Sequence, residues 1–188
     1  VPASSGSVTW VIPDSQAVST WCKVKVEDKG DPDRVNDTSN STFALKAYFD
    51  INRPENGYPV YANESCTINW TRKGTGPATV NLRYRLNDAD PWRWVNETQY
   101  AVPNTGPPGY GVYTWEPIPW DPLSNLCQIN ISDPDNPNAT DQGYLYFPIR
   151  GKINVTYPVK DTPLQVNNSY NITWTRQGNI SAVDIYYS

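Results

Sequence analysis

The chain is built from copies of one unit, because three of its segments recur at a nearly constant spacing. The nine residues that include Trp70 and end in Gly74 recur around Trp174, 104 residues later. Two segments of the first 28 residues recur 105 residues later, around Trp115 and Cys127. A repeat at a fixed period predicts an array of similar structural units rather than a self-contained enzyme.

The order of the repeated segments predicts how the chain is divided. Residues 1–49 correspond to the second half of a module, residues 50–149 to a complete module, and residues 150–188 to the first half of another. A module of about 100 residues has the usual size of a sandwich domain and buries its own core. Half a module cannot do so, and we therefore expect residues 150–188 to be completed by residues 1–49 of a neighbouring subunit or repeat.

Alignment of the two ends with the complete module leaves three explanations open. Val1–Ala3 aligns with Val102–Asn104, and Val183–Ser188 aligns with Val80–Arg85, so the ends are nearly complementary halves. If the sequence is a fragment of a longer protein, this match is a coincidence. Strand complementation between subunits would give a head-to-tail polymer. A longer array, of which this sequence is one window, would complete each half within a single polypeptide.

Composition argues against catalysis, nucleic acid binding and membrane insertion. The chain contains no histidine, which removes the usual general base and the commonest transition-metal ligand. The net charge is −4 and no cluster of Lys and Arg is present, unlike the basic patch of a nucleic-acid-binding protein. No run of 18 apolar residues predicts a membrane span.

Asparagine-linked glycosylation is the second strong signal. Of the 19 asparagines, 11 stand in the motif Asn-x-Ser/Thr, whereas the 29 Ser and Thr among 188 residues predict about three by chance. The motif accepts N-linked sugar on the surface of secreted proteins. We therefore expect an extracellular or cell-surface protein with covalent glycans and no other cofactor. For any single site, a plain role in a turn or strand edge remains open. The candidate glycosylation sites are Asn36, Asn40, Asn63, Asn69, Asn96, Asn130, Asn138, Asn154, Asn167, Asn171 and Asn179.

Alternation of apolar and polar residues predicts short strands throughout the chain. Half-buried strands are predicted at Cys22–Val26, Thr79–Tyr84, Cys127–Ile131 and Ala182–Tyr187. Clusters of Gly, Pro, Asn and Asp separate them at short spacing. This pattern predicts an all-β fold of tandem sandwich modules. Asn130 alternates with isoleucines in its strand, so its sugar would stand on the outer face of the sheet.

The order of motifs in the complete module resembles a known family of surface repeats. Tyr58-Pro59 precedes the Trp70 strand, and Tyr113-Thr-Trp115, the Cys127 strand and Phe147-Pro-Ile149 follow. This order is similar to the Ser/Thr-rich GPI-anchored membrane protein repeat of fungal walls and bacterial surface arrays. The resemblance implies tandem immunoglobulin-like β-sandwich modules outside the cell, without a known enzymatic activity. The sequon density departs from that family and indicates a sugar-coated variant.

The resemblance also bears on the three cysteines. Cys66 and Cys127 begin strands that can face each other across the core of an immunoglobulin-like sandwich, which predicts a disulfide between them. Such a bond suits a secreted protein. Cys22 repeats Cys127, but the position that repeats Cys66 holds Tyr170. For Cys22, a buried free thiol and a bridge to another chain both remain open.

Two other groups of residues have features of binding sites. The segment 133–141 has the oxygen density of a calcium loop, but its prolines and the missing terminal Glu favour a turn held by Asp and Asn side chains. Trp94 is expected in the core, and Trp92 is the better candidate for contact with a glycan. No catalytic or metal-binding residue is predicted.

These patterns predict a structural subunit of an extracellular, heavily N-glycosylated fibre or surface filament. Copies of the chain would assemble head to tail by completing split immunoglobulin-like modules. The alternative is a carbohydrate-binding or adhesive cell-wall module that uses exposed Trp and Tyr side chains. An enzyme would require clustered carboxylates in a cleft, and the sequence singles out no such pair.

Overall fold

Nearly all the regular structure of this chain is β-strand, which confirms the all-β expectation. The computed structural model describes residues 1–96, 98–121, 123–143 and 146–187. In these residues the only helix is a 3-10 turn at Ala3–Ser5, and no helix is long and apolar enough to cross a bilayer. The strands are β1 (Ser19–Cys22), β2 (Lys25–Glu27), β3 (Asn36–Thr38), β4 (Phe43–Leu45), β5 (Tyr48–Arg53), β6 (Val60–Tyr61), β7 (Cys66–Lys73), β8 (Thr79–Arg85), β9 (Arg93–Trp94), β10 (Val102–Pro103), β11 (Tyr110–Trp115), β12 (Ser124–Ser132), β13 (Thr140–Gln142), β14 (Phe147–Arg150), β15 (Lys152–Tyr157) and β16 (Thr173–Gln177).

Strands β5 to β14 build a central unit, residues 47–150, from two sheets. One sheet has the order β10-β8-β12-β14-β6, with β9 beside β8 and β13 beside β12. The other has the order β11-β7-β5. Strand β14 pairs with β6 in parallel, and the other pairs of the central unit are antiparallel. The buried faces of both sheets contribute to one apolar core, which makes the arrangement sandwich-like.

Period-two burial explains why these segments form strands. Val80, Leu82 and Tyr84 of β8 are buried, while the residues between them are half-buried. Ile129 and Ile131 of β12 follow the same pattern. Successive side chains of a strand point to opposite faces, so one face of each strand enters the core. The strands predicted at 79–84 and 127–131 are confirmed and are slightly longer in the structure.

Trp70 fills the centre of the core and depends on a glycine in the neighbouring strand. Its side chain is fully buried, and its indole N–H donates a hydrogen bond to Asn104 Oδ1 at 3.1 Å. Trp70 pairs directly with Gly111 of β11. A Cβ atom on Gly111 would lie 2.1 Å from the Trp70 ring. Because protein cores are close-packed, only glycine leaves room for this indole.

Two segments outside the central unit hold only pairs of strands. The head segment, residues 1–46, contains the hairpin-like pairs β1–β4 and β2–β3. The tail segment, residues 151–187, contains the pair β15–β16. Two-stranded pairs bury too little apolar surface to be stable alone in water.

Two predicted strands differ from the structure, both in these segments. The strand predicted at Cys22–Val26 is divided between β1 and β2, with residues 23 and 24 outside either strand. Residues 182–187, also predicted as a strand, have no regular structure. A strand needs a partner for its backbone groups. The aligned strand β8 lies between β12 and β9, and residues 182–187 have no such neighbours among the described residues.

Candidate assembly faces and glycosylation sites

The tail segment repeats the geometry of β5 and β7 pair by pair. In the central unit Ile51 pairs with Trp70, and in the tail Val155 pairs with Trp174, each shifted by 104 residues. All five recorded pairs of β15 with β16 match those of β5 with β7 in this way, including the irregularity after the Trp pair. Residues 63 and 167 also share a left-handed conformation, with φ of 64° and 67°. The repeat seen in the sequence is therefore a repeat of backbone geometry.

The head segment repeats the geometry of β12, β13 and β14 in the same way. Cys22 pairs with Phe43 as Cys127 pairs with Phe147, and both pairs follow an irregularity in the register. The three pairs of β2 with β3 match those of β12 with β13, with offsets of 105 and 104 residues for the two strands. The head thus has the strand pairs of one part of the central unit, and the tail has those of another part.

The copies differ in burial rather than in pairing. Trp70 has none of its surface exposed, whereas Trp174 has 37 % exposed. Trp115 is 1 % exposed and its counterpart Trp10 is 51 % exposed. Other exposed apolar residues of the head and tail also have buried counterparts: Val24 with Ile129, Val26 with Ile131, Val35 with Ala139, Ile153 with Phe49, Val155 with Ile51, Leu164 with Val60, and Ile172 with Ile68. Each segment therefore leaves open an apolar face that the central unit covers. Contiguous exposed apolar faces of this kind mark interaction sites.

The two open segments contact opposite ends of the central unit. The head reaches the end of β7, where the Gly74 N–H donates to the Asp14 carbonyl at 2.7 Å. The tail reaches residues before the start of β7, where Lys152 forms an ion pair with Glu64. Strand β7 has eight residues, so its ends are about 23 Å apart at roughly 3.3 Å per residue. The head and tail segments of one chain thus join the central unit at opposite ends of β7.

The junctions between each segment and the central unit are themselves similar. At the head junction, a Cβ atom built on Gly74 would meet Val18 at 2.9 Å and the Ala47 backbone at 3.7 Å. At the tail junction, a Cβ atom built on Gly178 would meet Leu123 at 3.0 Å and the Gly151 backbone at 3.1 Å. These three pairs of positions are 104 or 105 residues apart. Both glycines have positive φ, 95° and 83°, a conformation that favours glycine.

Ten of the 11 candidate glycosylation sites lie at the surface or on the outer face of a strand, and Asn96 lies half-buried in a bend outside the strands. Asn63 and Asn167 are exposed, each at a left-handed turn position. Asn130 is half-buried between the buried Ile129 and Ile131, which confirms the predicted parity of this strand. Asn69 and Asn96 are also half-buried, and the remaining eight sites are exposed: Asn36, Asn40, Asn63, Asn138, Asn154, Asn167, Asn171 and Asn179. Occupancy by sugar remains a prediction at every site.

Asn130 makes side-chain hydrogen bonds that a sugar would have to share. Its Nδ2 donates to Thr140 Oγ1 at 3.0 Å and to the Asp141 carbonyl at 3.1 Å. An N-linked sugar replaces one of the two hydrogens on Nδ2 and leaves one N–H donor. Glycosylation at Asn130 is therefore compatible with one of these two bonds but not both.

The three thiols are unpaired in the structure, and Cys66 and Cys127 both contact the central core. Cys127 is buried and Cys66 is half-buried. Burial raises the pKa of the Cys127 thiol, partly offset by a hydrogen bond with Ser124. Burial also raises the pKa of Cys66, and the nearby charge of Arg53 opposes this shift. The predicted Cys66–Cys127 disulfide stays a prediction, and Cys22 is half-buried in the head segment.

Trp92 and Trp94 lie against arginines on the outer face of the β8 sheet. The Trp94 ring lies 4.5 Å from the Arg83 guanidinium carbon, and the Trp92 ring lies 4.7 Å from that of Arg85. Arg83 pairs with Trp94 on one side and with Asn130 on the other, so the three side chains share a face. The expectation that Trp94 lies in the core was wrong, because its strand partner Arg83 alternates with the buried residues of β8.

The segment 133–141 forms the predicted turn. The Asp133 side chain accepts a hydrogen bond from the Asp135 N–H at 2.9 Å, which is the geometry of an Asx turn. Among the described residues, no group of three or more Cys, Asp and Glu side chains is placed to hold a metal ion.

Sequence reasoning missed the residues that shape the Trp70 pocket. Asn104 provides the indole acceptor, and Gly111 provides the space. One signal was available, because Gly6 and Gly111 both stand four residues before the Trp of their aligned segments. The hydrogen bond to Asn104 has no such signal, since the aligned position in the head is Ala3.

No protein-family model matches this chain, and no curated protein is detectably similar to it in sequence.

Proposed function

We propose that this protein is a structural subunit of an extracellular, N-glycosylated fibre that assembles head to tail. In the fibre, the tail of one copy completes the head of the next into a unit like the central one. The observation that carries the proposal is the burial difference between equivalent positions. Trp10 and Trp174 are exposed, whereas their counterparts Trp115 and Trp70 are buried in one shared core. Covering these faces would remove a large apolar area from water, at about 25 cal/mol per Å².

The strand order of the central unit supports an immunoglobulin-like module. One sheet of three strands faces a larger sheet, and consecutive strands cross between the two sheets. Strands β5 and β7 lie in the smaller sheet, whereas β6, β8, β12 and β14 lie in the larger one. Two packed sheets of mostly antiparallel strands with such connections are typical of the immunoglobulin architecture. The head supplies counterparts of β12, β13 and β14, and the tail supplies counterparts of β5 and β7.

The positions of the sequons support assembly without loss of the glycans. The counterpart of each tail sequon in the central unit is solvent-exposed, and so is the counterpart of Asn36. The remaining head sequon, Asn40, has its counterpart outside the described residues. Sugars at these positions would therefore point away from a completed core. They would also cover strand edges that otherwise invite uncontrolled pairing. The exposed counterparts are Thr140 for Asn36, Asp50 for Asn154, Asn63 for Asn167, Thr67 for Asn171 and Thr75 for Asn179.

The placement of the two segments supports a linear polymer. The head and tail of one chain contact opposite ends of the central unit, about 23 Å apart along β7. The two faces differ, so their contact is heterologous, and a heterologous contact that does not close into a ring propagates as a filament. The similar junctions at Gly74 and Gly178 would give successive units similar relative placements.

A carbohydrate-binding module is the weaker candidate. It would use aromatic side chains on a sheet face, such as the half-buried Trp92 and Trp94. Both rings already lie against arginine side chains, and the same face carries the sequon of Asn130. A sugar on Asn130 would compete with a soluble ligand for this face.

Cryo-electron microscopy of the chain secreted by a eukaryotic host tests the proposal. We expect filaments in which residues 150–188 of one subunit complete residues 1–49 of the next. Branched density is expected at Asn63, Asn130 and Asn167. Monomers at all concentrations, with open head and tail faces, would refute the fibre. Filaments in which each half module is completed by a further repeat of the same polypeptide would refute assembly from subunits. They would show a continuous array instead.

Glycan occupancy has its own test. Peptide-N-glycosidase F converts each occupied asparagine to aspartate, which peptide mass spectrometry detects site by site. We expect conversion at the exposed sites Asn63 and Asn167. Unmodified peptides at all 11 sequons would remove the glycan part of the proposal but leave the assembly test unaffected.

A further inference from the structure

We propose that Trp174 of one copy packs on Gly6 of the next, and that this contact fixes the register of the head-to-tail joint. The inference rests on the proposed assembly and adds the residue pair that determines how two copies align. Both residues are repeats of a pair that is already in contact within the central unit. Gly6 corresponds to Gly111 and Trp174 to Trp70.

The central pair provides the geometry of the contact. Trp70 and Gly111 are direct partners in the pairing of β7 with β11. The Trp70 indole lies so close to the Gly111 backbone that a Cβ atom there would be 2.1 Å from the ring. The same pairing places Val8 opposite Ile172 and Trp10 opposite Tyr170 in a joint between two copies. All four of these apolar side chains are exposed in the single chain.

The register is specific because only one position in this part of the head lacks a side chain. Gly6 lies between Ser5 and Ser7, and the next glycine of the chain is Gly30. A slip of one residue would place a serine Cβ against the Trp174 ring and would turn the apolar side chains of the head to the wrong face. The contact at Gly6 therefore excludes the neighbouring registers by steric overlap.

Docking also requires a change in backbone conformation, which glycine permits. In the single chain Gly6 follows the 3-10 turn at Ala3–Ser5 and has a φ of 63°, with no atom within 4 Å of the Cβ position. Its counterpart Gly111 lies within strand β11. Glycine adopts left-handed and extended conformations about equally readily. Residues 5–10 would thus pass from a turn and coil to a strand when the tail of another copy pairs with them.

Two complementary variants of the full chain test the contact. Gly6→Leu places a side chain where the indole should lie, and Trp174→Ala removes the indole. We expect each variant alone to need about a 100-fold higher concentration to form filaments, because central interface aromatics dominate binding. In an equimolar mixture the two variants can alternate along a filament. Where the head of Gly6→Leu meets the tail of Trp174→Ala, the leucine can occupy the space left by the missing indole. Where the tail of Gly6→Leu meets the head of Trp174→Ala, both contact residues are wild type. The mixture should therefore form filaments at a lower concentration than either variant alone.

Gly30→Leu is the matched control, because Gly30 is exposed and only the Asp28 carboxylate lies within 4 Å of its Cβ position. It should assemble like the wild type. If Gly6→Leu assembles like the wild type, or the mixture does no better than the single variants, the Trp174–Gly6 contact is refuted while the fibre stands. If the wild-type chain itself remains monomeric, the proposed function fails instead.

Hydrogen exchange provides a second, independent measurement. Amides of residues 7–10 should exchange freely in the monomer and become protected in filaments, as we expect for the paired amides of β11 in the central unit. Protection confined to other parts of the head would contradict the proposed joint.

Discussion

Trp70 and Trp174 occupy the same place in two copies of one hairpin, yet only one of them lies in a core. Both follow the same strand register, and both precede a Thr-Arg pair and a glycine with positive φ. Trp70 is fully buried in the core that both sheets of the central unit share, whereas Trp174 lies in a two-stranded sheet and is 37 % exposed. The comparison separates two steps of folding. The strand pairing is the same in both copies, whereas the core also requires the other half of the unit.

The largest expected effect tests this difference directly. Trp70→Ala should lower the free energy of unfolding by about 3–5 kcal/mol, the usual cost of removing a buried Trp side chain. Trp174→Ala should change the stability of the monomer by less than about 1 kcal/mol, because its ring is partly in water. Urea unfolding, followed by Trp fluorescence at concentrations where light scattering shows monomers, measures both values. Equal losses in the two variants would mean that the tail is covered in the monomer.

The cysteines give the next comparison. The central unit contains Cys66 and Cys127, whereas the proposed joint between two chains contains only Cys22. If Cys66 and Cys127 form the predicted disulfide, reduction should cost about 2–4 kcal/mol of stability. A thiol reagent should then label only Cys22 in the native, oxidised protein. In the reduced protein, burial raises the pKa of Cys66 and Cys127, so at about pH 8 each holds less reactive thiolate than an exposed cysteine. Their labelling should therefore accelerate as the pH rises above the ordinary thiol range.

Mass spectrometry of labelled peptides distinguishes the outcomes. Rapid labelling of all three cysteines in the oxidised protein would refute the disulfide. Loss of the Cys22 label on filament formation would indicate that the joint covers this residue, as the central core covers Cys127.

The sequence predicted the strands of the central unit well, because period-two alternation determines which side of a strand faces the core. It failed at residues 182–187, where the pattern is that of a strand but no partner is present among the described residues. Trp94 was misplaced for a related reason. An indole predicts burial only when its strand parity is known, and parity here follows from the pairing with Arg83. Pairing between distant strands was the missing information in both cases.

The repeat could be recognised in the sequence because a few residue types must recur wherever the backbone conformation recurs. Gly74 and Gly178 recur at turns with positive φ, and Asn63 and Asn167 recur in left-handed conformations. The hydrogen bond between Trp70 and Asn104 could not be predicted from the repeat, because the residue of the head that aligns with Asn104 is Ala3, which has no side-chain acceptor.

Substitutions of the equivalent glycines Gly111 and Gly6 should have smaller effects on stability than Trp70→Ala, and the two effects should still differ. Gly111→Ala would push a methyl group into the Trp70 ring and should cost about 1–3 kcal/mol of stability. Gly6→Ala should affect only the local turn, where a left-handed residue other than glycine costs about 1 kcal/mol. Thermal unfolding of both variants as monomers measures the difference. A large loss in Gly6→Ala would show that the head is packed before any second copy arrives.

The smallest expected effect concerns the junctions, where an ion pair is present at each end of the central unit. Lys73 lies 3.3 Å from Asp14 at the head junction, and Lys152 pairs with Glu64 at the tail junction. The Lys152 ammonium also lies 4.3 Å from the centre of the Tyr61 ring. Lys152→Met and Lys73→Met keep most of the aliphatic stem and remove only the charge. Because the side chains of both pairs are partly exposed to solvent, each variant should cost less than about 1 kcal/mol, and less at high salt.

Hydrogen exchange at the Asn179 amide, which donates to the Trp120 carbonyl at 3.2 Å, measures how firmly the tail junction is closed. In Lys152→Met this amide should exchange slightly faster, and in Lys73→Met it should not change. Complete loss of protection in Lys152→Met would mean that the ion pair, rather than the packing of Gly178 against Leu123 and Gly151, holds the tail in place. In that case the two junctions would resemble each other in backbone geometry alone, and the spacing of successive units in a filament would vary with salt.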